Sequence, residues 1–307
     1  AEAAFAPHAA RSDANEPTLV DGRVRIIPEL AQALKAFRDA GLFAMGAPIE
    51  EGGTQLPHVL RALISAQFSA ANAPTYGYAF LTQAAASLLR DCGNAELRAR
   101  YLPKLVSGEW FGTMCLSEPH AGSSLSDIKT LASPQADGSY RLRGNKMWIS
   151  GGAHELASNI IHCVLARTPG APAGAAGISL FLVPRYRPDD QGAASLDNGV
   201  QLQGLNHKMG YRGTVNTLLS FGESVPCVGY LLGQPQQGLA AMFRMMNEAR
   251  IGVGIGAAAI AYAGYRLASV YARERRQGRP MDATGSVELS LEMCPIRQHP
   301  DVRHMLL

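Results

Sequence analysis

A chain of 307 residues with 47% hydrophobic and 17% charged residues is globular in composition and long enough for two or three domains, which excludes a disordered tail or a small stapled fold. The formal net charge of +3, spread along the chain, is too mild to argue for nucleic acid. The five cysteines (Cys92, Cys115, Cys163, Cys227, Cys294) form no CxxC pair and the eight histidines no HxxxH or HExxH, so reduced thiols are expected and a dedicated zinc site is not.

Residues 1–28 are Ala- and Pro-rich and read as loop. They lack a basic segment followed by an apolar core, so no signal peptide is expected and the protein is placed in the cytoplasm. From Pro28 to Gly108 the pattern is helical. ELAQALKAFRDAGL (29–42) sets Leu30, Leu34, Phe37 and Leu42 at helix spacing before glycine and proline stop it. LPHVLRALISAQFSAAN (56–72) and YAFLTQAAASLLRDCG (78–93) predict two further helices. NAELRARYLPKLVSGEW (94–110) opens on an Asn cap and runs into Pro103.

After Trp110 the texture turns to strands: ADGSYRLRG (136–144), NIIHCVLART (159–168), GISLFLVPR (177–185), GVQLQG (199–204) and TVNTLLSFG (214–222). Short strands in sequence without helices between them predict an antiparallel sandwich or barrel rather than βαβ units. From Gly238 a long helix runs without proline to Arg273, Arg275 and Arg276, cations that suit the negative end of its dipole, with Gly278 and Pro280 as the stop. Its apolar stretch IGVGIGAAAIAYAGY (251–265) is shorter than the ~18–20 residues of a membrane span and reads as a buried helix. PIRQHPDVRHMLL (295–307) begins another helix, whose pattern is expected to continue beyond Leu307. The fold class is thus α+β and multidomain. A helical domain (1–110) is followed by a β-domain (111–230) and the start of a helical bundle (231–307).

Three stretches carry candidate chemistry. GVGIGAAA (252–259) has the GxGxxA spacing of a dinucleotide turn, but FRMMNEARI before it is helical in character where that turn needs a strand. Its small residues are expected to let two helices pack closely. CLSEPHAGSS (115–124) offers Cys115, Ser117, Glu118 and His120, yet neighbours in an extended segment point to opposite faces and no GxSxG elbow is present. A hydrolase is therefore not expected. AGSS (121–124) resembles a loop that turns backbone N–H groups toward an anion, and KMWISGG (146–152) sets Trp148 at a strand end beside a hydroxyl. Together they suit a flat, phosphate-bearing cofactor.

GTMCLSEPHAGSSLSDIKTLA (112–132), DGSYRLRGNKMWISGG (137–152), KMGYRGTVNTLLSFGESVP (208–226) and MNEARIGVGIGAAAIAYAGYRLASVYARERRQGRP (246–280) closely resemble the acyl-CoA dehydrogenase family. The likeness runs from about Pro28 to the end and is nearest to the large branch acting on methylthiopropionyl-type and other short acyl-CoA esters. It implies an FAD enzyme that removes an α-proton with a carboxylate while the β-hydrogen leaves as hydride, giving a trans-2-enoyl-CoA. It also implies an electron-transfer flavoprotein as acceptor and a homodimer or homotetramer. By position, Met114, Leu116 and Ser117 correspond to one flavin wall, with Ser117 where the family usually has Thr. Trp148, Ile149 and Ser150 correspond to the other wall. Gly122 and Ser123 correspond to the pyrophosphate region, Ser123 also lying near CoA, and Ser124 stands where Asp is common. Asn247 and Arg250 correspond to substrate-facing positions, and Arg275 and Gln277 to positions reaching the FAD of a neighbouring subunit.

No catalytic base is assigned within the chain. In most of the family it is a Glu that would lie beyond Leu307, and in some members it immediately precedes the Arg matched by Arg250. Here that position is Ala249, and Glu248 lies about 100° further round the helix. Two other functions stay open on the same scaffold: a flavin oxidase that reduces O₂, and a non-catalytic flavin scaffold. The second would call for a strongly basic face that the charge does not supply.

Overall fold

The computed structural model describes residues 1–307 except Asp190, Asp282, Ala283 and Glu288. The first 28 residues are not loop. A 3₁₀ turn (Ala6–His8) leads into α1 (Ala9–Ala14) and a hairpin of β1 (Thr18–Val20) and β2 (Arg23–Arg25). Asp21 and Gly22 make its two-residue turn with φ of 51° and 73°, the left-handed pair such hairpins require. The segment is ordered by one anchor that composition averages away. Phe5 is fully buried, edge-on to Phe68 at 4.8 Å between ring centroids.

Helix α2 (Pro28–Asp39) starts on its proline and buries Leu30, Ala33, Leu34 and Phe37. The two helices expected over 56–93 are one element, α3 (His58–Cys92), bent at Asn72, which has φ −166° and ψ 85°. Pro74 has no N–H to give, and the Asn72 side chain caps the second arm by accepting from Thr75 N at 3.1 Å. Helix α4 (Ala95–Val106) carries the expected Asn94 cap, which accepts from Leu97 N at 2.9 Å, and continues past Pro103.

The β-domain comprises β3 (Phe111–Cys115), β4 (Leu131–Pro134), β5 (Tyr140–Ser150), β6 (Ile160–Arg167), β7 (Ile178–Pro184), β8 (Tyr186–Pro188), β9 (Ala194–Asp197), β10 (Val200–Leu205), β11 (Asn216–Phe221) and β12 (Cys227–Leu232). The main sheet runs β10-β11-β5-β12-β7-β6-β3, and β4 bridges β5 and β6, so that β5, β12, β7, β6 and β4 close a ring. Pairing is not wholly antiparallel: β3 and β4 each lie parallel to β6. Strand β3 leaves the helical domain and enters at the sheet edge, and the chain must cross through the 116–130 loop before it can pair again. β3, with nearly every residue buried, and the short β4 carry no alternating pattern, and neither is visible in the sequence. Strand β5 joins the expected 136–144 strand to KMWIS as one 11-residue strand.

Helix α5 (Gly238–Glu274) ends ahead of Arg275 and Arg276, a turn earlier than its composition suggests, and α6 (Pro300–Met305) closes the chain. The glycines of α5 do serve helix packing. A Cβ on Gly252 would lie 2.7 Å from Phe80 Cε2, and one on Gly256 3.4 Å from Ser69 Oγ, both on α3. The expectation of a buried helix fails. Among the described residues α5 packs chiefly on α3 and β7, which leaves Val253 65% and Leu267 74% exposed, and by length and composition alone α5 is long and apolar enough to cross a membrane.

A tight joint between helical and β layers is Gly112 on β3, where a Cβ would sit 2.4 Å from Ala85 Cβ on α3. Gly112→Ala is expected to cost about 1–3 kcal/mol by overpacking, read from urea unfolding midpoints. Gly204→Ala, with nothing within 4 Å of the added carbon, serves as the control and should shift stability by less than about 0.5 kcal/mol.

Candidate functional site

Two of the expected cofactor segments meet at the C-terminal ends of β3 and β5. Met147 N donates to the Ser117 carbonyl at 2.9 Å, which sets the chain leaving β3 beside the chain leaving β5. Met114 and Leu116 are half-buried against the core, and Ser117 is half-exposed beyond them. Between β5 and β11 the register steps from Lys146↔Leu219 to Ile149↔Thr217, so Met147 and Trp148 bulge opposite Leu218. Trp148 sits in this bulge at φ 64°, a left-handed conformation that costs about 1–2 kcal/mol for a residue with a Cβ, and is 55% exposed. Its neighbours hold it there. The Ile149 side chain is 2% exposed and belongs to the core, so only its main chain is available to a ligand. Ser150 Oγ accepts from Asn216 Nδ2 at 3.2 Å, which leaves the hydroxyl hydrogen to donate. Gly122 and Ser123 lie exposed on the loop after Ser117, and a Cβ on Gly122 would come within 3.9 Å of Ser117 Oγ.

The remaining polar residues of CLSEPHAGSS have structural partners. Glu118 is buried: Oε1 accepts from Lys146 Nζ (2.9 Å), Thr130 N (2.9 Å) and Thr130 Oγ1 (2.6 Å), and Oε2 from Lys129 N (2.7 Å). Burial by itself would raise its pKa, but Lys146 and the Thr130 and Lys129 donors outweigh that and hold the carboxyl below its ordinary value. Cys115 is fully buried near His162, and burial pushes its thiol up to about 12. The His120 ring lies 3.2 Å from the Asp127 carbonyl. No nucleophile is activated here.

A cavity of about 800 Å³, counted with its opening to solvent, lies inside the elbow of α3 and is covered by α5 and the 43–47 loop. Phe43, Met45, Tyr76, Phe80, Met245 and Ile255 line it, and Tyr76 O–H spans the two arms of α3 to Ser65 Oγ at 2.7 Å. Arg61 Nη1 donates to Glu248 Oε1 at 3.4 Å across the lining. Phe80 lines the cavity, and its neighbour Leu81 lies 3.8 Å from where a Cβ on Gly151, just past the bulge, would stand. The cavity follows from the α3 bend, which sequence reasoning missed; NAP at 72–74 was the available signal.

The substrate-facing candidates are set apart from this lining. Arg250 donates to Asn247 Oδ1 at 2.9 Å on the exposed side of α5, over the Phe243 ring, while Glu248 and Ala249 line the cavity. Arg275 and Gln277, hydrogen-bonded at 3.2 Å, lie at the far end of α5, about 37 Å from Arg250 along the helix. The single chain does not bring them to Trp148.

Because Trp148 is strained and half-exposed, its own packing does not explain it. Trp148→Gly is expected to hold or raise the thermal midpoint of the ligand-free protein. A drop of several degrees would show that the ring is a structural contact.

The N-terminal domain model of acyl-CoA dehydrogenases matches residues 1–109 and the middle domain model residues 113–223. The chain is 41% identical over 304 residues to 3-methylmercaptopropionyl-CoA dehydrogenase of Ruegeria pomeroyi, covering 99% of this chain and 50% of that protein. It is 36% identical over 295 residues to a butyryl-CoA dehydrogenase of Syntrophomonas wolfei, covering 94% and 47%. Among solved structures, an acyl-CoA dehydrogenase from Bacillus anthracis complexed with FAD superposes with a TM-score of 0.76 at 25% identity, over 98% of this chain and 44% of that one. The chain spans about half the length of the curated relatives it matches. With both domain models matched in order and the expected helical and β units in place, the chain belongs to the acyl-CoA dehydrogenase family.

Proposed function

We propose that the chain forms the flavin-facing part of an enzyme that oxidises an acyl-CoA thioester to its trans-2-enoyl-CoA, with FAD as cofactor. The observation that carries this reading is Trp148, an aromatic face held out on a strained bulge directly beside Ser117. In this reading Met114, Leu116 and Ser117 line one side of the flavin. Trp148, the Ile149 main chain and the Ser150 hydroxyl line the other. Gly122 and Ser123 offer an open, small-residue loop to the pyrophosphate, with Ser123 also toward CoA. When bound, FAD supplies the acceptor for the hydride that leaves the substrate β-carbon.

The apolar cavity in the α3 elbow is the place for the acyl chain, with Asn247 and Arg250 facing the rest of the substrate. Glu248 is tied to Arg61, which fits an acid of the wall rather than the proton-abstracting base. That base is proposed to be a Glu beyond Leu307. The exposed apolar face of α5 is where further bundle helices would pack, and Arg275 and Gln277 would reach the FAD of a second copy in a homodimer or homotetramer. Reducing equivalents would then pass to an electron-transfer flavoprotein in the cytoplasm.

Full-length protein is expected to purify yellow and to bleach anaerobically with its short acyl-CoA, while the Trp148→Gly protein purifies colourless. No bleaching with short, branched and aryl acyl-CoAs would defeat the proposal. Rapid reoxidation in air would assign an oxidase instead.

A further inference from the structure

Lys146 is a fully buried cation whose ammonium makes two contacts, to the Leu116 carbonyl and to Glu118 Oε1, each at 2.9 Å. Burial draws its pKa below the ordinary lysine value against the pull of Glu118. A buried pair of this kind is seldom the most stabilising choice, since apolar residues of similar volume often do as well or better. Its position is more informative than its energy. Three parts of the proposed cofactor site converge on this ammonium. The Leu116 carbonyl belongs to the wall leaving β3. Lys146 itself stands two residues before the left-handed Trp148. Glu118, through Lys129 N and Thr130, pins the far end of the loop that carries Gly122 and Ser123.

The next residue repeats the link, because Met147 N donates to the Ser117 carbonyl. Beyond it the register with β11 breaks and Trp148 turns outward. The tie to Leu116 therefore lies at the register break between β5 and β11, between the Ser117 wall and the Trp148 wall. We infer that Lys146 is a positioning residue: by holding the Leu116 carbonyl it fixes the stance of Trp148 against Ser117, and with it the slot for the flavin. The inference rests on the flavin reading proposed above.

Three variants of the full-length protein separate positioning from plain stability. Lys146→Met and the double variant Lys146→Met with Glu118→Gln both remove the tie to Leu116, and the double variant leaves no unpaired buried charge to prevent folding. Glu118→Gln alone breaks the ion pair but keeps that tie. Reconstitution of the flavin-free proteins with FAD should give a Kd raised about tenfold or more, equivalent to about 1.4 kcal/mol, in both Lys146 variants, with altered visible circular dichroism of the bound flavin. Glu118→Gln, whose side-chain oxygen still accepts from Thr130 and keeps the loop pinned, should lose thermal stability yet hold FAD within about threefold of wild type. Wild-type Kd and spectrum in the double variant would overturn the inference. So would FAD loss that tracks the fall in Tm across all three variants. A wild-type protein that binds no FAD would overturn the flavin reading first and this inference with it, whereas a yellow wild type with unchanged variants overturns the inference alone.

Discussion

Inside α3, Asn72 leaves helical conformation and its side-chain oxygen accepts from the Thr75 N–H. Its amide nitrogen donates to the Phe5 carbonyl at 3.2 Å, so the same residue that bends the helix holds the N-terminal segment on it. From that elbow follow the burial of Phe5 and His8, the cavity between the two arms, and the direction of the second arm. The second arm carries Thr82 and Ala85 under Gly112 of β3 and Phe80 against Gly252 of α5. A straight α3 would remove the cavity and misplace the helical layer against both the sheet and α5.

The site itself sets strain against fixed polar contacts. Trp148 is held in a left-handed bulge, and the residues around it are tied down on every side: Lys146 to Leu116 and Glu118, Met147 to Ser117, Ile149 into the core, and Ser150 to Asn216. Local strain persists only where its surroundings over-determine it, and such places concentrate at ligand clamps. The acid, thiol and imidazole of CLSEPHAGSS, not expected to act as a catalytic cluster, have structural places in the same geometry. Glu118 is an anchor, Cys115 a buried thiol, and His120 a surface ring.

Helix α5 links two scales. Its first half packs on α3 through glycines and brings Met245, Glu248 and Gly252 to the cavity. Its second half projects with Tyr262, Tyr265 and Leu267 exposed and ends at the Arg275–Gln277 pair. An exposed apolar helix face of this length marks an interaction surface, and it is the face to which the proposed function assigns further bundle helices.

The sequence alone was enough for the order of helices, strands and helices, because Leu30, Leu34 and Phe37 at helix spacing and the Asn94 cap are local signals. It also suggested AGSS (121–124) and KMWISGG (146–152) as suited to one flat, phosphate-bearing cofactor, and the Met147–Ser117 bond brings the two stretches side by side. Tertiary structure decided the rest. Phe5 orders an Ala/Pro-rich segment through a partner 63 positions away, and Asn72 makes two apparent helices into one bent element. β3 and β4 become parallel neighbours of β6. Whether Ile149 offers a side chain or only a backbone, and which groups hold the Glu118 carboxylate, depends on burial and on which donors converge. Those are distances between residues far apart in the chain, and no local pattern records them.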